Sequence, residues 1–513
     1  MCECCYLFHP IDCNIRSRAT KFIVERREGQ DYVRCLTVGF EHHAGDTLII
    51  LWMPFLITLV FLTSQMICVS IDIMLPSFLQ TSGSQRNAAA AQVDVPTDHL
   101  DCDVEDKASS PRVLLSVNSV ASHNTEGVIT ERLLELNWFN APPGMNEDPT
   151  SWVGLFNHDP AENSNDPLEV ASTRNYPDGY YRTRIQFPRI EFFDNKLTDG
   201  CLGFWIGYIN LNRLVAKSCI RARPRWMYEM KDVIGNKTLK DLMIPGTHNA
   251  GSYEAYRPER NTAKVRYQMC HDEDVFNQLV YGNRFLDFRV IFQHVAGSKE
   301  KFWITHNILR TNNSVREVLS QVKRFLDNTN EIVIIDFHLF YMGFIDSWVD
   351  DRHKELMKIV LGTLGHYMIP TSYEYTTPLN EIWKSNKRLL VGYASKQGIE
   401  SNLLYPGVFH LWGNKETRPE LEEFLNRNMC LFRHRGLWSA MAELTPTTSG
   451  VLIDKYGGLR SLAQEVNIYV TKWFRDRWWK CANIVSTDYF LGNNVIDVSI
   501  EANAKKFAIN NVI

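Results

Sequence analysis

The pattern of hydrophobic and polar positions divides the chain into distinct regimes. Residues 48–71, "LIILWMPFLITLVFLTSQMICVSI", carry no charged side chain, and a helix of that length spans a hydrocarbon core of roughly 30 Å. A buried helix of a soluble domain would show a polar stripe, so this segment predicts a transmembrane anchor or a signal sequence. Residues 72–111 are small, polar and acidic without periodic apolar positions, and read as a linker. From 112 to 224, short alternating runs such as "RVLLSVNSV", "RLLELNWF", "SWVGLF" and "CLGFWIGYI" are separated by Gly, Pro, Asn and Asp turns. That texture predicts an antiparallel β-sandwich.

From 228 to 513 the period changes to strand, loop and helix in repetition. Strand-like runs are "LKDLMIPG", "NRFLDFRVIF", "KFWITHNIL", "EIVIIDFHLF", "KRLLVGYA", "GVFHLWG", "LWSAMAELTP" and "ANIVSTDYF". Helical stretches between them include "SVREVLSQVKRFLDNTN", "DRHKELMKIVLGTLGHY", "RPELEEFLNRN" and "SLAQEVNIYVTKWFRDRWWK". Eight strands alternating with helices predict an α/β fold, a (β/α)8 TIM-type barrel whose active face lies at the carboxyl ends of the strands. The first two connections lack a clear helix, so the barrel is expected to be irregular. The aromatic, basic "KWFRDRWWK" at 472–480 suits either a membrane interface or helix packing.

Composition adds location. The 513 residues carry a formal net charge of -4 and no Lys/Arg run, which argues against nucleic acid as a partner. Arg16, Arg18, Lys21, Arg26, Arg27 and Arg34 precede the apolar segment, whereas between 72 and 106 only Arg86 is basic. The positive-inside bias therefore makes 1–47 a cytoplasmic tail and puts the rest outside the cytoplasm. A second reading starts at Met53, with 1–47 a mispredicted extension and a cleaved signal leaving a secreted protein. Six cysteines lie beyond the apolar segment (Cys102, Cys201, Cys219, Cys270, Cys430 and Cys481), an even number that fits an oxidising compartment, with Cys201 and Cys219 the foremost pair and free buried thiols the alternative. Asn236-Lys237-Thr238 and Asn312-Asn313-Ser314 are glycosylation sequons.

Polar groups collect at the predicted strand ends: His248 with Asn249, Asp287 with Arg289, His306 with Asn307, Asp336 with His338, and Asp488. Singly, each has a structural explanation, such as a hydrogen-bonded histidine or an Asp–Arg pair. Together they suit phosphodiester cleavage by an internal hydroxyl. Two imidazoles share base and acid duty near neutral pH, and a guanidinium receives the charge on the phosphoryl oxygens, with no metal required.

The motifs "IPGTHNAGSY", "RFLDFRV", "WITHN", "EIVIIDFHLFY" and "NIVSTDYF", in this order, resemble the phosphatidylinositol-specific phospholipase C X-domain family, in its animal X-domain-only form, over about 228–513. The resemblance implies His248 as general base with Asp488 orienting it, His306 as general acid with Asp287 as its carboxylate partner, and Arg289 as the phosphate-binding arginine. Asn249, Asn307 and His338 are candidate substrate contacts by their place at the strand ends, His338 as a pocket wall. Asn249 departs from the metal-independent members, which carry Asp there; calcium-dependent members carry His-Asn with the Asn as a ligand. Arg289 stands where calcium would need a carboxylate, which favours metal independence, and loss of the Asp is expected to weaken the acid half.

The expected substrate is thus an inositol lipid or related glycerophosphodiester at a membrane surface, and the sandwich is a candidate surface for a protein partner. The alternatives are a weak or inactive lipid-binding or adhesion protein on the same barrel, and a metal-dependent glycerophosphodiesterase. The latter needs a cluster of acids, which "RFLDFRV" with its flanking Arg284 and Arg289 does not offer.

Overall fold

The computed structural model describes residues 18–27, 30–39, 110–142, 151–174 and 176–508. The apolar segment 48–71 and nearly all of the 72–111 linker lie outside the described residues. Among the described residues, no helix is long and apolar enough to cross a membrane. The chain divides into two compact units, 1–95 and 96–513. In the first, strands Arg18–Arg27 and Gln30–Gly39 pair antiparallel.

The second unit begins with two antiparallel sheets. One orders Arg112–Val117, Leu133–Phe139 and Gly179–Gln186; the other orders Arg213–Ala222, Gly200–Asn210, Trp152–Phe156 and Glu169–Ser172. Period-2 alternation puts Leu134, Leu136 and Trp138 on one face. They share a buried cluster with Val153, Leu155, Ile206 and Tyr208 of the other sheet. A Cys201–Cys219 disulfide clips one hairpin, and Cys430–Cys481 joins two segments farther along. Arg132 pairs with Glu273 at 2.7 Å, both nearly fully buried, and Tyr281 and Phe490 enter the same apolar cluster. This part is therefore seated on the remainder rather than tethered to it.

Parallel strands follow: β1 (Ile244–Thr247), β2 (Phe285–Phe292), β3 (Val333–Phe340), β4 (Leu389–Tyr393), β5 (Tyr405–Pro406), β6 (Phe409–Leu411), β7 (Trp438–Met441) and β8 (Ile484–Thr487). Their hydrogen-bonded order is β5-β4-β3-β2-β1-β8-β7-β6, every pair parallel. Chain order thus runs cyclically around a curled parallel sheet in a mixed α/β fold.

One expectation needs correction. "KFWITHNIL" is not a parallel strand: Phe302–His306 pairs antiparallel with β2 and with Leu309–Ser314. The reason is geometric. β1 spans only four residues and pairs with Phe285 and Leu286, so the outer half of β2 has an edge to cover, and the hairpin covers it. The eighth parallel member is instead β5, two residues including a proline, which carries no periodic signal.

The helices follow their apolar stripes. Val315–Asn328 buries Val315, Val318, Leu319, Val322, Phe325 and Leu326, and Ser314 caps it by accepting from the Glu317 amide at 3.1 Å. In "KWFRDRWWK", Trp473, Phe474 and Trp478 are buried in the core, which decides for packing. At the amino ends of the strands, Arg284 and Glu331 form a fully buried pair at 2.6 Å.

Candidate active site

The site forms where β1, β2 and β8 end. β1 and β8 are paired in register at Thr247 and Thr487, so the next residues, His248 and Asp488, meet although 240 positions separate them. His248 Nδ1 lies 2.9 Å from Asp488 Oδ1, and Arg289 Nη2 donates to His248 Nε2 at 2.6 Å. An always-charged guanidinium can donate only to a lone pair, so Nε2 is unprotonated and the hydrogen sits on Nδ1, facing the carboxylate. Burial pushes the His248 pKa down and Arg289 opposes a second charge, but the charge and hydrogen bond of Asp488, with Glu443 assisting, leave it raised from the ordinary histidine value. With Arg289 on Nε2 this arrangement holds the neutral form, and Asp488 favours the imidazole once it gains a proton.

Asp287 and Arg289, two apart on β2, face the same side. Asp287 Oδ2 accepts from the Asn249 amide at 3.0 Å and from Arg289 at 3.4 Å. Despite burial, which opposes, Arg289 and His410 hold Asp287 well below the usual carboxylate range. Asn249 sits at φ 43°, the left-handed region that Asn tolerates, and its Nδ2 donates to the Thr305 carbonyl at 3.1 Å.

His306 stands across from His248, ring centroids 6.1 Å apart. Its Nδ1 lies 2.7 Å from the Tyr267 carbonyl oxygen, which fixes the hydrogen on Nδ1. The expected pairing of His306 with Asp287 is therefore not formed: the carboxylate is taken up by Asn249 and Arg289. Burial, then Arg289 and His248, push His306 down to about 4. Asn307 also adopts positive φ, and its Oδ1 accepts from Tyr341 Oη at 3.4 Å.

His338 lies one strand away in a second group. It stacks on His410, rings 3.5 Å apart and 5° from parallel, and both face Asp336. Three residues beside the site escaped the sequence reading. His271 lies with Nε2 2.8 Å from the His248 carbonyl, and burial lowers its pKa to about 4. Burial pushes Glu443 up to about 7, with His248 opposing and Asp488 adding. His410 follows the pattern of the others, being on a strand whose carboxyl end faces the site. Glu443 lies just past the end of β7, and position relative to a strand end was the signal that could have found it.

No protein-family model matches the chain. The PI-PLC X domain-containing protein 1 of Danio rerio is 24% identical over 289 residues, covering 52% of this chain and 91% of that protein. The PI-PLC X domain-containing protein 3 of Mus musculus is 25% identical over 305 residues, covering 54% and 92%. The variant-surface-glycoprotein phospholipase C of Trypanosoma brucei brucei is 26% identical over 296 residues, covering 49% and 80%. Among solved structures, a mutant of the phosphatidylinositol-specific phospholipase C from Staphylococcus aureus aligns with a TM-score of 0.42 at 15% identity, over 55% of this chain and 97% of that one. Over about half its length, the chain is a relative of the PI-PLC X domain-containing proteins.

Proposed function

We propose that the protein is a phosphoric diester hydrolase that cleaves an inositol lipid or related glycerophosphodiester by attack of an internal hydroxyl on phosphorus. The observation that carries this reading is the relay Asp488···His248···Arg289 with His306 facing it. His248 Nε2 removes the proton of the attacking hydroxyl as the new O–P bond forms. Asp488 stabilises the resulting imidazolium, and Arg289 holds the phosphoryl oxygens. His306 Nε2 delivers a proton to the oxygen that leaves with the glycerol, closing the balance with a cyclic phosphodiester as first product. In the resting protein Arg289 occupies the lone pair that the base needs, and His306 is neutral. An anionic phosphodiester addresses both, because it draws the guanidinium off Nε2 and favours a protonated His306.

Calcium does not fit beside these residues. Asn249 Oδ1 and Asp287 Oδ1 are buried without hydrogen-bond partners, but Arg289 stands 3.4 Å from the same carboxylate, and a Ca2+ shell needs six to eight oxygens. The guanidinium takes the place of an ion there. A second reading, a lipid-binding protein of slow turnover, draws on one observation: His306 faces a carbonyl and not a carboxylate.

Residues 228–513 are read as a TIM-type barrel open between β5 and β6, and 112–224 as a β-sandwich that orients it and offers a surface to a protein partner. Loops beyond the carboxyl ends of β3, β6 and β7 expose Ile345 (76%), Trp348 (62%), Trp412 and Ile453, and Ile308 next to Asn307 is also exposed. Apolar side chains around the mouth suit a lipid surface. The disulfides agree with a barrel outside the cytoplasm, anchored or secreted.

The test is turnover of phosphatidylinositol by the full chain. His248→Ala and His306→Ala should each lower kcat by roughly 10² or more. A variant that keeps the unmodified rate removes that histidine from the mechanism.

A further inference from the structure

Asp336, His338 and His410 form a cluster that the acid–base relay does not use. Asp336 and His338 are two apart on β3, with His338 at the point where the register with β2 shifts; His410 comes from β6, which is not a neighbour of β3 in the sheet. Asp336 Oδ2 lies 3.4 Å from His338 Nδ1 and 3.4 Å from His410 Nε2. A direct hydrogen bond would be about 2.7–3.2 Å long, and all three atoms are buried without a hydrogen-bond partner. Leaving three such atoms unsatisfied in one place is costly. The other carboxylate oxygen is tied down: Asp336 Oδ1 accepts from the Val408 amide at 3.1 Å. A Cβ at Gly392 would stand only 2.5 Å from Oδ1, so glycine leaves the space in which the carboxylate lies. Asp336 is thus aimed, with one oxygen held and the other pointed at two imidazole nitrogens.

We propose that Asp336, His338 and His410 bind a zinc-type divalent ion, with two nitrogens and one oxygen as protein ligands and a fourth position open to solvent or substrate. The spacing selects the geometry. Donors on a tetrahedral ion with bonds of about 2.0–2.1 Å stand about 3.3–3.4 Å apart, whereas neighbouring donors on an octahedral Mg2+ at about 2.1 Å stand about 3.0 Å apart. Both separations from Asp336 Oδ2 match the former, and the two nitrogens lie within 4.8 Å of each other. Imidazole with carboxylate is also a donor set that suits zinc rather than calcium. The two rings, parallel without the ion, would splay to aim both lone pairs at one point. The ion would cross-link β3 and β6, on opposite sides of the gap between β5 and β6, and would lie one strand from Asp287, which faces Asp336 in register. The buried Asp287 carboxylate adds a favourable field.

Purified full-length protein, stripped with chelator and dialysed, is titrated with Co2+ as a spectroscopic stand-in and then with Zn2+. One Co2+ per chain with the intense visible bands of a tetrahedral site, displaced by one Zn2+ and accompanied by a higher unfolding midpoint, is the expected result. His410→Gln and His338→Gln should each weaken uptake by at least about 10- to 100-fold, no less than the loss of an outer-shell partner costs, and abolish the rise in midpoint. His248→Gln should leave the bands in place. Absence of the bands in the unmodified protein overturns the proposal. So do bands unchanged in both His410→Gln and His338→Gln, or bands that His248→Gln removes and that carry a sulfur-to-cobalt transition, which would place the ion at His248, Cys270 and Asp488. The stripped variants' unfolding midpoints verify that they fold, and the unmodified protein alone suffices to refute.

Discussion

Replacing Asp488 by Asn tests the relay at the link that costs least in packing, because the amide keeps the shape and loses the charge. In the structure, the carboxylate faces His248 Nδ1 at 2.9 Å. Unit charges in contact at an effective dielectric of about 20 attract by roughly 5 kcal/mol. This attraction exists only after His248 has taken a proton, so it is spent on the transition state. The amide dipole retains part of it, and the nearby Glu443 also favours the imidazolium. A net loss of about 2.7–4 kcal/mol corresponds to a fall in kcat of roughly 10²- to 10³-fold. Because neutral His248 in the ground state gains little from the charge, KM should stay within about threefold, with kcat and kcat/KM falling together. The pH profile gives an independent sign. Asp488 raises the His248 pKa, so without it the pKa falls, the base is deprotonated at lower pH, and the acidic limb of kcat/KM moves down. The assay is hydrolysis of a dispersed short-chain phosphatidylinositol from pH 4 to 9, with near-ultraviolet circular dichroism to verify the fold. A folded Asp488→Asn protein with unmodified kcat and an unmoved acidic limb would remove Asp488 from the relay.

Glu331→Gln should destabilise the fold by about 3 kcal/mol or more, because it leaves the Arg284 guanidinium charged and uncompensated in a fully buried setting; chemical denaturation that reads a loss under about 1 kcal/mol would contradict it. Ile345→Ser with Trp348→Ser should reduce sedimentation with anionic lipid vesicles while leaving hydrolysis of a monomeric soluble diester intact, and equal vesicle binding would remove these loops from the lipid contact.

What was legible in the sequence follows from how each signal arises. Periodic apolar stripes located the helix Val315–Asn328 and the strands β2, β3, β4 and β8, since packing demands the periodicity. Motif resemblance singled out His248 and Asp488, but only the β1–β8 register explains why residues so distant in sequence touch. The partner of His306 was misassigned because a backbone carbonyl, that of Tyr267, has no sequence signature. β5 escaped because two residues cannot display a period, and "KFWITHNIL" misled because strand direction is not encoded in alternation. Glu443 and His410 went unremarked within runs read as strands, although both sit where β7 and β6 present their carboxyl ends. Cys201–Cys219 was expected from the sequence; Cys430–Cys481 depended on tertiary proximity.

Attack by a hydroxyl of the substrate itself, with His248 as base, can be followed on the phosphorus. Phosphatidylinositol is incubated with the full-length protein and the products are resolved by 31P NMR over time. A cyclic inositol phosphodiester should appear first, and its formation should be lost in His248→Ala. An acyclic phosphomonoester appearing first, with no cyclic diester at any time, would contradict this mechanism, because water and not the neighbouring hydroxyl would then be the nucleophile.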